Sequence, residues 1–276
     1  MTSNINHRYS TIFLLAIFSV LTACNSVPAI PTALSPAISN KQCVVLVHGL
    51  WRSAWAMRSI ANDLHDFAYK TVSISYPSTS MTIPEIAERY LPPAIHECQQ
   101  DGAEQIHFVS HSMGGIVVRQ YLQNNHLPSG SKVVMLSPPN QGSELSDKFG
   151  DASWYQQLVG PAGVSLSKKE DGIIPTLKAV EEPIGIIAAY RGWSIWPSTW
   201  LPEPNDGTVS VESMKLAEMD DFVLINSGHA MMRFNMDIHQ QIRYFLAKGE
   251  FYHSEQTTES AELLSLTFAE SPKHLD

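Results

Sequence analysis

Between residues 43 and 252, short apolar runs alternate with segments whose apolar residues recur every three or four positions. "CVVLV" (43–47) is an unbroken apolar run of strand length, followed by "HGLW". Residues 53–67 carry Trp55, Ile60, Leu64 and Phe67 at helical spacing, and "TVSISY" (71–76) alternates until Pro77 stops it. A helix is expected over 84–98, with Pro84 in the first turn and with Pro92 and Pro93 kinking or breaking it. Residues 106–110 form a third strand, 113–123 the helix after it, and "KVVMLS" (132–137) a fourth strand closed by Pro138 and Pro139. "IGIIAAY" (184–190) and "FVLIN" (222–226) complete six strands. A last helix is expected to carry Met231, Phe234, Ile238, Ile242 and Phe245. Near-continuous apolar strands alternating with helices mean a mostly parallel sheet covered on both faces. The expected domain is therefore α/β over 42–252. A short cap at about 143–182 interrupts the alternation, and a polar, loose tail follows over 253–276.

The amino terminus follows other rules. Arg8 precedes an apolar run from Ile12 to Leu21, about half the roughly 20 residues that a bilayer core needs, so residues 1–23 form an export signal rather than a span. "LTAC" (21–24) resembles the bacterial lipoprotein cleavage box. That resemblance implies a lipid on Cys24, which would become the first residue of the mature chain. With Asn25 after it rather than Asp, it also implies an outer-membrane lipoprotein whose domain sits in the periplasm. A plain secretory signal cleaved near Ala23 is the competing reading. Residues 24–41, rich in Pro, Ser and Ala, form a tether to the domain.

Composition narrows the partners. A net charge of −9 over 276 residues argues against nucleic acid, and 44% hydrophobic content is enough for one substantial core. With Cys24 lipidated, Cys43 and Cys98 remain; an oxidising periplasm allows a disulfide, buried free thiols are the alternative, and spacing does not choose. No phosphate loop, dinucleotide fingerprint or zinc cluster occurs, and neither metal nor cofactor is expected.

Four strand ends carry reactive residues, where open parallel sheets collect them. His48-Gly49-Leu50 follows the first strand and Ser112 the third; Asp206 lies in "PNDGTVS" after the fifth, and His229 in "SGHAMM" after the sixth. Around Ser112 the sequence is Ser-His-Ser-Met-Gly, which departs from Gly-x-Ser-x-Gly at Ser110. Serine is small enough there for a sharp strand-to-helix turn to survive. Through "VVLVHGLW", "HSMGG", "SPPNQGS", "PNDGTVSVES" and "GHAMM", the chain resembles the α/β-hydrolase superfamily, and more narrowly its compact bacterial lipase and esterase branch. The resemblance implies Ser112 as nucleophile, His229 as base and then acid, and Asp206 holding the imidazole. It also implies an oxyanion hole made by the backbone N–H groups of Leu50 and Met113.

Plainer roles compete. Ser112 could cap a helix, Asp206 could form an Asn-Asp-Gly turn, and His229 could cap the last helix. His48 and His111 are expected to shape the oxyanion loop and the elbow rather than carry protons. Ser165-Leu166-Ser167-Lys168 matches Ser-x-x-Lys without a Lys-Thr-Gly partner, and His107 and His111 lie on a strand, unsuited to a zinc pair. Trp51, Trp154, Trp193, Trp196 and Trp200 are candidate walls of a pocket for an apolar acyl chain, although about half of such aromatics only pack a cap. The leading expectation is a serine hydrolase acting on a small-molecule or lipid ester through an acyl-enzyme. Alternatives are an acyltransferase or thioesterase with the same triad, or a non-catalytic envelope lipoprotein that binds lipid or a partner.

Overall fold

The sheet is set by six strands, β1 (Gln42–Val47), β2 (Lys70–Ser73), β3 (Gln105–His111), β4 (Val133–Leu136), β5 (Ile184–Ala189) and β6 (Asp221–Ile225); β1, β3, β4 and β5 are buried on both faces, and the edge strands β2 and β6 are half-buried. In the computed structural model, which describes residues 41–191, 197 and 199–253, the six form one parallel sheet in the order β2-β1-β3-β4-β5-β6. The export signal, Cys24, Trp193, Trp196, nearly all of the tether and all but the first residue of the tail lie outside the described residues.

Period-two alternation sends neighbouring side chains of each strand to opposite cores. Cys43, Val45 and Val47 of β1 join one core, with Ile83 and Ile86 of α2 (Ile83–Gln100), preceded in the chain by α1 (Arg58–Asp66), and Ile116 and Val117 of α3 (Met113–Tyr121). Val44 and Leu46 join the other, with Ile60 and Leu64 of α1 and with Ile238, Ile242 and Phe245 of the last helix. Helices therefore cover both faces, as the alternation predicts.

Details differ from the sequence reading. β2 ends at Ser73 instead of Tyr76, because after Ile74 donates to the Leu46 carbonyl the chain turns Tyr76 toward His48. The α2 helix is continuous through Pro92 and Pro93. Both prolines are exposed, so the carbonyls that lose their i+4 partners, on exposed Glu88 and Arg89, face water. The α2 amino terminus is closed by Thr82 and Glu85 in reciprocal capping, with proline in the first turn. Cys43 and Cys98 are joined by a disulfide, which ties the start of β1 to the last turn of α2. It lies at the amino end of β1, opposite the strand ends that carry His48 and Ser112.

Residues 143–182 hold α4 (Glu144–Phe149), capped by the Ser143 hydroxyl, and α5 (Ser153–Val164), interrupted at Gly160 where φ is 66°. Leu145, Tyr155 and Val159 form a small third cluster that packs on Leu50 of the β1 loop. After β5 come α6 (Val211–Met214) and, at the end, α7 (Met236–Lys248). The expected last helix is split: residues Met231–Phe234 make a 3-10 turn, and extended Asn235 caps α7 by accepting from Asp237 N–H at 2.9 Å.

Candidate functional site

The strand order reverses at β1, with β2 on one side and β3 on the other, so the chains leaving β1 and β3 diverge and open a crevice at their carboxyl ends. Only one residue, Ser112, separates β3 from α3, and it turns the chain with φ 57° and ψ −130°. A residue with a Cβ occupies that region at a cost of about 1–3 kcal/mol. The surroundings hold it there: Ser112 N–H donates to the Leu136 carbonyl at 2.8 Å, and Gly115 N–H donates to the Ser112 carbonyl at 2.9 Å. Close backbone approach requires glycine on both sides. A Cβ on Gly114 would lie 2.5 Å from the Val47 carbonyl oxygen, and one on Gly49 would lie 2.9 Å from Ser112 Cβ. Ser110 is buried in β3, with its hydroxyl beside Gly115 and 3.5 Å from the Val134 carbonyl. The hydroxyl is housed beneath α3, and the turn keeps its shape.

Asp206 and His229 meet directly. The Asp206 carboxylate is fully buried, and its Oδ2 accepts from His229 Nδ1 at 2.5 Å. Its Oδ1 accepts from the N–H groups of Thr208 and Val209, both at 2.9 Å. A second tie runs from His229 N–H to the Asp206 carbonyl at 2.9 Å. Because the carboxylate oxygen accepts, Nδ1 carries a proton, and in the neutral ring it is Nε2 that presents the lone pair. Ser112 Oγ hydrogen-bonds to neither residue; such contacts commonly tighten only when substrate binds.

The link between the serine turn and His229 is His111. Its ring lies 4.7 Å from the His229 ring, and its Nε2 donates to the His229 carbonyl at 2.9 Å. Burial first, and then the nearby cationic groups, hold the His111 pKa well below that of a free imidazole, so this donor stays neutral. His48 is also kept neutral by burial; its Nδ1 donates to the Gly49 carbonyl at 2.7 Å, and its Nε2 accepts from Tyr76 N–H. The His48 ring stacks on Tyr76 at 3.9 Å, and the Tyr76 hydroxyl donates to the His48 carbonyl. This fixes the loop that carries Leu50. Neither Leu50 N–H nor Met113 N–H has an acceptor among the described residues.

A buried bridge that the motifs do not reveal links the β4 loop to the Asp206 loop. Arg119 of α3, 4% exposed, donates to the Asn140 carbonyl at 3.1 Å; Asn140 Nδ2 donates to the Met214 carbonyl at 2.8 Å. Glu144 accepts from the Ser210 hydroxyl, tying α4 to the same loop, and its burial raises its pKa. Their partners lie 21–74 residues away in the chain, so no local signal marks them. Of the candidate pocket walls, Trp51 and Trp154 are each half exposed. Trp200 lines a cleft of about 390 Å³ with Glu144, Lys148 and Lys168. Trp193 and Trp196 lie outside the described residues.

Comparison with known proteins agrees with this fold. The model of the Alpha/beta hydrolase family matches residues 44–237, well over half the chain. Among solved structures, the mature Bacillus licheniformis lipase BlEst2 is similar, with a TM-score of 0.62, 17% identity, and coverage of 76% of this chain and 93% of that one. The Legionella pneumophila phospholipase PlaB, solved with thio-NAD, has a TM-score of 0.60 at 15% identity, covering 83% of this chain and 62% of that one. A Pyrococcus furiosus esterase has a TM-score of 0.54 at 16% identity, covering 75% and 82%. At these identities the likeness is one of fold. No curated protein sequence matches the chain.

Proposed function

Because the chain belongs to the alpha/beta hydrolase family, we propose that it is a serine hydrolase that cleaves carboxylic esters through an acyl-enzyme. The observation that carries this reading is the buried Asp206–His229 pair, joined at 2.5 Å and bonded through His111 to the strained turn of Ser112. In this reading Ser112 Oγ attacks the ester carbonyl and His229 Nε2 takes its proton. The tetrahedral oxyanion is met by the free N–H groups of Leu50 and Met113. His229 then protonates the leaving alcohol, and a water deprotonated by His229 breaks the acyl-serine bond. Asp206 holds the tautomer and stabilises the imidazolium, while His111 sets where the His229 backbone lies.

The test is labelling of the folded chain with a fluorophosphonate, with the adduct located by mass spectrometry. An adduct on Ser112 that is absent from Ser112→Ala and from denatured protein is expected, and an adduct elsewhere or none at all sinks the reading. In the same assay series, Asp206→Asn should reduce kcat by about 10⁴ while the chain remains folded.

The reading extends to the amino terminus. Arg8, the apolar run and "LTAC" support lipidation of Cys24 and attachment to the outer membrane, with the domain in the periplasm. Metabolic labelling with a fatty acid should mark the chain, and Cys24→Ser should abolish the mark; label that survives the substitution refutes the anchor.

A further inference from the structure

Every large apolar side chain left exposed among the described residues falls in one of three short segments that border the crevice. Trp51 and Trp55 follow β1, Trp154 and Leu158 lie on α5, and the others lie within residues 231–236, directly after His229. Individual exposures run from 47% to 71%. Hydrogen bonds hold the segments together. Trp51 Nε1 donates to the Leu158 carbonyl at 2.8 Å, and Arg233 Nη1 donates to the Ala56 carbonyl at 2.8 Å, joining the turn after His229 to the turn that carries Trp55.

The charges follow the same division. The chain has 27 acidic and 18 basic residues, yet 48–62, 152–169 and 222–236 contain no Asp or Glu. They do contain Arg52 and Arg58, both exposed. Arg233 is buried beneath the turn, and Lys168 and Lys169 are paired with Asp147 and Asp151. Acids begin only at the borders. Asp63 is paired with Arg243 and Asp151 with Lys169, while Asp237 opens α7. A rim of exposed tryptophan, phenylalanine and methionine beside the exposed Arg52 and Arg58, on an otherwise acidic molecule, matches neither bulk water nor an ordinary protein surface. It is complementary to an anionic lipid surface, with arginines at the headgroups and aromatic bodies among the acyl chains.

We propose that this rim seats the domain on an anionic phospholipid bilayer, so that the crevice at Ser112 takes its ester from the lipid layer and not from solution. The proposal rests on the ester-hydrolase reading and names its substrate class as membrane-borne lipid esters. Chain length permits the arrangement. The 17 residues from Cys24 to Lys41 span at most about 60 Å, whereas the six residues of β1 span about 20 Å. A chain anchored at Cys24 therefore reaches round the domain from the amino end of β1 to the rim at its carboxyl end.

The test compares the full chain with Trp55→Ser/Phe234→Ser/Met236→Ser and, separately, with Arg58→Glu, all carrying the same amino terminus so that its effect cancels. Tryptophan quenching is read in vesicles of phosphatidylglycerol and of phosphatidylcholine with brominated acyl chains. Hydrolysis is read on a short soluble ester and on an ester embedded in the same bilayers. The triple variant should keep the soluble-ester rate of the parent and lose roughly tenfold or more of its bilayer rate, together with most of the quenching. Arg58→Glu should weaken the effect in phosphatidylglycerol by at least about fivefold, less so in high salt. Equal quenching of parent and triple variant overturns the proposal. So does a parent that hydrolyses soluble ester yet is not quenched, which would leave the rim as the seat of a protein partner. Equal quenching in the two lipids overturns the anionic assignment. A chain that is quenched but hydrolyses no ester retains the docking surface and refutes the hydrolase reading instead.

Discussion

Ser112 sits where a residue with a Cβ is disfavoured, and the fold holds it there through the Leu136 carbonyl and through the approach of α3 to β1. Glycine accepts such angles freely, and Ser112→Gly relieves strain of about 1–3 kcal/mol against a smaller entropic loss in the unfolded chain. The expected result is a protein about 1 kcal/mol more stable in urea titrations and without esterase activity. An equal or lower midpoint would show that the turn stores no strain. Ser112, Asp206 and His229 could be singled out in the sequence because each follows a strand that local pattern reveals. His111 could be read as shaping the elbow, but not its bond to the His229 carbonyl, since that acceptor lies 118 residues away. The same holds for the Arg119–Asn140–Met214 chain, whose members are separated by loops of no fixed pattern.

Among the elements, strands were the most legible, since an unbroken apolar run of four to seven residues is too short for a buried helix and suits a strand covered on both faces. Helix interruptions were harder to read. Pro92 and Pro93 suggested a break, yet exposure of that face lets water satisfy the freed carbonyls, and α2 runs on. The last helix broke where nothing apolar changes, because Asn235 caps α7 from an extended conformation. Spacing left the cysteines open; only the packing of α2 against β1 brings their Cα atoms to 5.7 Å. Their bond closes a loop with a sequence separation of 55, which restricts the unfolded chain by about 4 kcal/mol in the loop-entropy account. Cys43→Ala/Cys98→Ala should therefore lose about 2–4 kcal/mol in chemical denaturation and keep its activity, since the bond lies away from the crevice. A loss of activity in the folded double variant would contradict that placement.

For the molecule as a whole, three buried histidines set the response to acid. Burial lowers the pKa of His48 and His111, and that of His107 to about 3. Folded protein keeps these rings neutral, whereas the unfolded chain protonates them below about pH 6.5. The unfolded state then binds more protons, so their stabilising contribution is complete above that value and is lost as pH falls. Three such groups give a slope of up to about 4 kcal/mol per pH unit below pH 6. Glu144 acts in the opposite sense, because its raised pKa lets the folded state take up a proton first, but it is one group against three. Urea midpoints should drop steeply between about pH 6.5 and pH 5, and a flat profile would mean that the histidines are not buried neutral. His107→Gln should flatten the slope by about one proton.

What the sequence determined by itself was the parallel α/β sheet, its six strands and the order in which serine, aspartate and histidine follow three of them. Those features come from hydrophobic periodicity and from residues adjacent in the chain, which act over a few ångströms of backbone. Tertiary structure alone decided the rest: the disulfide, the continuous α2, the His111 contact that ties the elbow to His229, and the gathering of exposed tryptophan and methionine from three distant segments around one crevice. The physical reason is the same in each case. Contacts between residues far apart in the chain depend on how the helices pack on the sheet, and that packing has no period to read.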